Sequence, residues 1–309
     1  MAPMQSGIGE VFCVVPTGDR CGEGIVWHAD EEAVYWTDIN RFLLHRWTPS
    51  DGCLKSWFFD EPVTAVLLTD RRETLVVVLG SGVILWEPRS DTRSKPFFLL
   101  EGWPGVRSND AGVDPRGSLW VGSMRNNVNP DGSPGEVGGT DGRLYRIDPD
   151  GKAIECLANI GIANTVVWSP DQKQFYFADS LQDTIDVFAF DGSLGNARPF
   201  LHGFGRGAPD GSTVDSEGYL WNCRYGGSCI VRVAPNGAID RVIEMPTSNI
   251  TNCTFGGKDL KTLYITTAAL GTVPGDRLAG GLFALRCDTP GQAENRFRLA
   301  NSGLSSEGR

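Results

Sequence analysis

Six segments of this chain repeat one pattern, a polar turn followed by an aromatic or aliphatic strand. They read "HADEEAVYWTDI", "LTDRRETLVVVLG", "VDPRGSLWVGSM", "WSPDQKQFYFADS", "VDSEGYLWNCRY" and "FGGKDLKTLYITTA". Anchored on Trp36, Val76, Trp120, Tyr176, Trp221 and Tyr264, they are spaced by 40, 44, 56, 45 and 43 residues. A period of this length marks a propeller or another repeat architecture. Each segment is followed by a second strand and turn: "FLLHRWTPSDG", "GVILWEPRSD", "GRLYRIDPDGK", "TIDVFAFDGS", "CIVRVAPNGA" and "GGLFALRCDTPG". The unit is therefore strand, turn, strand, loop, strand, turn, strand. Six such units predict an all-β, six-bladed β-propeller with four antiparallel strands per blade around a central channel. A β-sandwich or two β domains are the alternatives, and the evenness of the repeats favours the propeller.

The spacing of 56 marks an insertion between Trp120 and Tyr176, filled by "NNVNPDGSPGEVGGTDG". It is long enough to lie over one face. The N-terminal "EVFCVVP" is expected to complete the last blade beside the C-terminal strands. No linker splits the chain, so residues 1–300 read as a single domain and 301–309 as a flexible tail.

Composition narrows the function classes. The chain has 39 Gly and 18 Pro and no long stretch of helical periodicity, which suits many tight turns. Its net charge is −10 and no Lys/Arg run exceeds two, so nucleic acid and anionic membranes are not expected partners. Apolar runs such as "LVVVL" are too short to cross a bilayer. The N-terminus does not read as a signal peptide. Eight cysteines without a CxxC pair then suit reduced thiols in a cytoplasmic protein. The three histidines, His28, His45 and His202, are scattered and support neither a His-rich zinc site nor a Ser-His-Asp triad.

The first strand of each propeller blade lines the channel. Stepping back 11–13 residues from each anchor gives Glu23, Thr64, Asn109, Asn164, Asp210 and Asn252. All six side chains carry oxygen. Two carboxylates and three amides at one level suit a hard divalent cation such as Ca, Mg or Mn, and such sites also accept Zn or Fe(II). A cation would neutralise Glu23 and Asp210, which otherwise repel. Each residue also has a local reading: Glu23 as a turn residue in "CGEGI", Asn109 and Asp110 as an Asx turn in "RSNDAG", Asn164 as another. Thr64 and Asn252 have the least distinctive neighbours. Asp215, matching Asp114 in "VDPRGSLW", belongs to the repeat's turn and reads as structural.

The stretches "GEGIVWH", "RSNDAGVDPRGSLWVGSM", "GRLYRIDPDG", "IANTVVWSPDQKQFYFADS", "PDGSTVDSEGYLW" and "FGGKDLKTLYITTA" resemble the family of gluconolactonases, regucalcin (senescence marker protein) and luciferin-regenerating enzymes. The resemblance runs from about residue 20 to residue 285 and is strongest in flavour to bacterial sugar-lactonases. It implies a six-bladed propeller with one divalent metal ion in the channel. By motif, the implied metal ligands are Glu23, Asn164 and Asp210, with Arg107 and Asn109 binding the lactone. Asp210 is also the implied acid/base group. Many relatives read "GEGP" and "NG" where this chain has "GEGI" and "NT", which removes no ligand. Some animal relatives place a substrate-contacting Glu before the "GxLY" strand. Here Gly138 takes that place and Glu136 lies nearby, so Glu136 is a substrate-binding candidate. Trp103 either walls the mouth of the site or packs within a blade.

The expected activity is hydrolysis of a sugar lactone, an aldonolactone of pentose or hexose type, to the aldonic acid. The metal would polarise the ester carbonyl, and Asp210 would move protons. The expected partner is this small molecule alone, with the protein a monomer or weak homo-oligomer. The alternatives are a non-catalytic metal- or sugar-binding propeller, and another ester or organophosphate hydrolase on the same fold.

Overall fold

The computed structural model describes residues 8–300, and the expected C-terminal tail 301–309 lies outside them. Six antiparallel sheets form a six-bladed β-propeller. The inner strands are Gly22–His28, Val63–Leu68, Val106–Val113, Ala163–Trp168, Ala208–Val214 and Ile250–Gly256, for blades 1 to 6. Each touches the inner strand of the next blade, and blade 6 touches blade 1, so the ring closes. The N-terminal strand Phe12–Val15 pairs with Leu282–Arg286 and supplies the fourth strand of blade 6, as expected. Blade 2 departs from the repeat. Its outer edge is split into two short strands, Thr92–Arg93 and Phe98–Leu99, which both pair with Gly82–Glu87.

The repeat's aspartates and tryptophans explain the blades. In blade 3, Asp114 Oδ1 accepts from the backbone N–H of Arg116 and Ser118, closing the turn. Its Oδ2 accepts from Trp120 Nε1 at 2.9 Å. Blade 5 repeats this with Asp215, which caps Glu217 and Tyr219 and holds Trp221 Nε1 at 2.9 Å. Trp36, Trp120 and Trp221 are fully buried, so each indole needs such a partner for its N–H. Asp215 also pairs with the buried Arg232 at 2.6 Å. These residues pack blade against blade and stay away from the channel chemistry.

After the last blade the chain turns under the ring. Gly291 N donates to Leu260 O, Gln292 N to Val214 O, Phe297 N to Leu68 O and Arg298 N to Gly117 O. Asn295 Nδ2 donates to Val113 O at 2.9 Å. Residues 290–298 thus cross the far end of the channel and touch blades 6, 5, 3 and 2. Above them lies a cavity of about 80 Å³, lined by all six inner strands and by Gln292–Asn295.

Asp215→Ala would strand an indole N–H and take one of three carboxylates from the buried Arg232, which keeps Asp240 and Glu217, whereas Asp114→Ala strands only the indole. We expect losses of about 2–3 kcal/mol and about 1–2 kcal/mol respectively. Urea melts should show lower midpoints at unchanged slope, in that order.

Candidate active site

All six inner strands carry a register shift at one level, near the end where they begin. In blade 1 the paired residues jump from Glu23 to Val26, and in blade 4 from Asn164 to Val167. Such β-bulges set an extra residue against the partner strand and re-aim side chains. Here they turn polar side chains into the channel mouth. Two motif glycines are sterically required. Gly24 has φ +51°, and a Cβ there would meet Ala65 Cα and Thr64 O at 2.5 Å. A Cβ on Gly211 would strike the Asn252 amide at 2.1 Å.

The channel residues meet across blades. Asn252 Nδ2 donates to Glu23 Oε2 at 2.9 Å, and the Gly24 N–H donates to the same oxygen at 2.8 Å. Asn109 Nδ2 donates to Asn164 Oδ1 at 3.0 Å and to Ala163 O at 2.9 Å. Asn164 Nδ2 donates to Ser180 Oγ, whose own O–H donates to Pro209 O at 2.6 Å. Ser180 opens the 3-10 turn Ser180–Gln182 and so orients Asn164 while bracing the residue before Asp210. The carboxyls of Glu23 and Asp210 lie close enough for each to perturb the other. Thr64 is brought to no polar partner in this cluster, since its hydroxyl turns to Val78 O of its own blade.

Burial dominates the electrostatics. It raises the pKa of Glu23, against the lowering effect of its Asn252 and Gly24 hydrogen bonds. Burial and then the charge of Glu23 push Asp210 well above the usual carboxylate range. Asp110, one residue beyond Asn109, is raised to about 7 by burial and by Glu23. Its Oδ1 accepts from Ala111 N, and it faces the cavity below the mouth. The structure thus shows a third channel acid, which the Asx-turn reading placed in a turn. Among the described residues, no group of three or more His, Cys, Asp or Glu gathers to hold a metal. The available donors are two carboxylates and amide oxygen.

Arg107 forms the other wall. It is buried, and burial lowers its pKa to about 10. Its Nη1 donates to Asn109 Oδ1 at 2.7 Å and to Ser108 O at 2.8 Å. Its Nε and Nη2 both donate to Asn127 Oδ1, at 3.0 and 2.8 Å. Asn127 lies in the insertion loop that follows Leu119–Arg125, and the sequence reading passed over it in favour of Glu136. Glu136 is exposed, and no hydrogen bond ties it to the cluster among the described residues. The one available signal was position: Asn127 stands two residues past the strand end that aims at the mouth. The loop then crosses to blade 1, where Asn40 Nδ2 donates to Gly132 O at 2.9 Å and Val128 packs with Ile39, Phe42 and Cys21. Trp103 is half-buried against the blade 2 hairpin, where a Cβ on Gly80 would touch its ring at 2.6 Å. That position fits its packing reading.

Residues 21–269 match the family model described as the SMP-30/Gluconolactonase/LRE-like region. The chain is 32% identical to a pentonolactonase of Haloferax volcanii over 295 residues, covering 92% of this chain and 96% of that protein. It is 31% identical to a 6-deoxy-6-sulfogluconolactonase of Pseudomonas putida over 297 residues, covering 92% and 97%. Among solved structures it is similar to a calcium-binding protein, regucalcin, of Agrobacterium tumefaciens, with TM-score 0.86, 25% identity and coverage of 94% and 98%.

Folding protonates Glu23 and Asp210 more readily than unfolding does. The cation-free protein should therefore lose stability as pH rises from about 4, where the unfolded carboxylates titrate, toward neutrality. Asp210→Asn removes the buried charge. In chelator at pH 8 it should melt about 2–4 °C above the wild type, with a smaller gap at pH 5, read by differential scanning fluorimetry.

Proposed function

The chain belongs to the SMP-30/gluconolactonase/LRE-like family, and on that footing we propose that it hydrolyses a sugar lactone, an aldonolactone of pentose or hexose type, to the aldonic acid. The observation that carries this reading is the convergence of Glu23, Asn164 and Asp210 opposite Arg107 and Asn109 at one channel mouth. The far end of that channel is crossed by the chain itself.

The donor set fits one divalent metal ion: all three donors are oxygens, and the proton affinity of both neighbouring carboxyls is raised where a cation would balance them. Glu23, Asn164 and Asp210 would hold the ion, which when bound supplies positive charge for the lactone carbonyl oxygen. The chain's own residues do the rest. Four of the five Arg107 N–H groups are engaged, which leaves one on Nη2 for a lactone oxygen. Asn127 uses its oxygen on Arg107, which leaves its amide N–H groups as further donors for the lactone. Asn109 is locked between Arg107 and Asn164 and orients both.

The two carboxyls have different freedom. Glu23 Oε2 is held by two donors, Gly24 N and Asn252 Nδ2. At Asp210 the lowering effect of the Gly211 N–H is outweighed by burial and by the neighbouring Glu23. Asp210 is thus the better proton carrier. It takes a proton from the attacking water and returns it to the leaving ring oxygen. This role requires one Asp210 oxygen free of the cation. All eight cysteines are free thiols, which supports a reducing cytoplasmic setting, and we place the protein there as a monomer or weak homo-oligomer.

Protein supplied with divalent cations should release acid from pentono- or hexonolactones, read with a pH indicator. Chelation should abolish turnover and re-addition restore it. Asp210→Ala and Glu23→Ala should each lose at least about 100-fold in kcat. Undiminished activity in either variant would sink the assignment.

A further inference from the structure

Thr165, in the inner strand of blade 4, holds a backbone conformation that its side-chain type resists. Its φ is +58°, in the left-handed region. A β-branched residue adopts that region only under constraint, and such outliers gather at functional sites. The register-equivalent residue of blade 1 is Gly24, with φ +51°, where glycine meets the same demand without strain. The backbone of blade 4 would accept glycine too, so what the threonine adds is its side chain.

That side chain is completely buried and has a defined task. Its Oγ1 donates to the backbone carbonyl of Asp210 at 2.6 Å and meets Ser212 Oγ at 2.8 Å. Asn222 Nδ2 donates to the same Asp210 carbonyl at 3.1 Å and to Ser212 Oγ at 2.9 Å. Thr165 directly follows Asn164. One residue therefore ties the main chain that presents Asn164 to the main chain that presents Asp210, across the seam between blades 4 and 5. Ser180 ties the same two strands from the mouth side, through Asn164 Nδ2 and Pro209 O.

We propose that Thr165 is a positioning residue that sets the placement of Asp210 relative to Asn164, with strained backbone geometry as its cost. The inference rests on the lactonase reading for its kinetic arm. It acts through the main chain, so its loss affects the proton-moving and cation-holding step and leaves the Arg107 wall intact. The signature is a fall in kcat at nearly constant KM.

The test compares Thr165→Gly and Thr165→Ala, which delete the hydroxyl, with Thr165→Ser, which keeps it. In chelator, Thr165→Gly is expected to melt within about 3 °C of the wild type, because released strain offsets lost contacts. Both deletions should lower kcat about tenfold with KM within about twofold, and Thr165→Ser should return kcat to within about threefold of wild type. A second arm titrates Mn²⁺ alone and follows the rise in melting temperature, with about tenfold weaker binding for Gly and Ala and none lost for Ser. Wild-type kcat and Mn²⁺ affinity in both deletions would overturn the proposal, as would Thr165→Ser falling as far as Thr165→Gly. A wild type that hydrolyses no lactone would overturn the lactonase reading alone, because the Mn²⁺ arm still decides the role of Thr165.

Discussion

One distortion, repeated six times at one level, underlies this site. A regular strand sends alternate side chains to its two faces, and in a propeller those faces pack against neighbouring blades. The channel would then be lined by backbone and small groups. The bulge in each inner strand breaks that alternation and frees polar side chains to point along the channel. The close approaches of Gly24 to blade 2 and Gly211 to Asn252 show how little room the bulges leave. The motif glycines are therefore steric requirements of the neighbouring blade.

Hydrogen bonds across the seams hold the bulges in place. Ser108 Oγ donates to Leu79 O, Thr165 Oγ1 to Asp210 O and Thr251 Oγ1 to Gly22 O, joining blades 3 to 2, 4 to 5 and 6 to 1. Each hydroxyl reaches the backbone of an adjoining blade at site level. The result is a rigid polar ring around two carboxyls whose proton affinity burial raises.

Much of this was legible in the sequence. The turn-then-strand repeat specified blade number, and the matched turn positions of Asp114 and Asp215 marked these aspartates as structural. Counting back from strand anchors found Glu23, Asn109, Asn164, Asp210 and Asn252, which the fold does bring together. The same count included Thr64, because a count along the chain cannot see which way a bulge turns its residue. Asp110 was missed for a similar reason: a neighbour of Asn109 in sequence, it points to the cavity below. Asn127 was hidden by the irregular loop, where no period relates position to direction. Glu136 was preferred for its charge, yet the loop carries it into solvent. The strap at 290–298 has no repeat partner at all.

The pairing of Glu23 with Asn252 spans 229 residues of chain. It has a consequence for biosynthesis. Blade 1 is synthesised before blade 6, and its carboxylate stays without this partner until blade 6 is made. The far end of the channel is crossed later still, by the residues beyond blade 6. Early blades can gather local contacts during synthesis, but the polar cluster at the channel mouth belongs to the closed circle alone. It is completed in one step, when blade 6 meets blade 1.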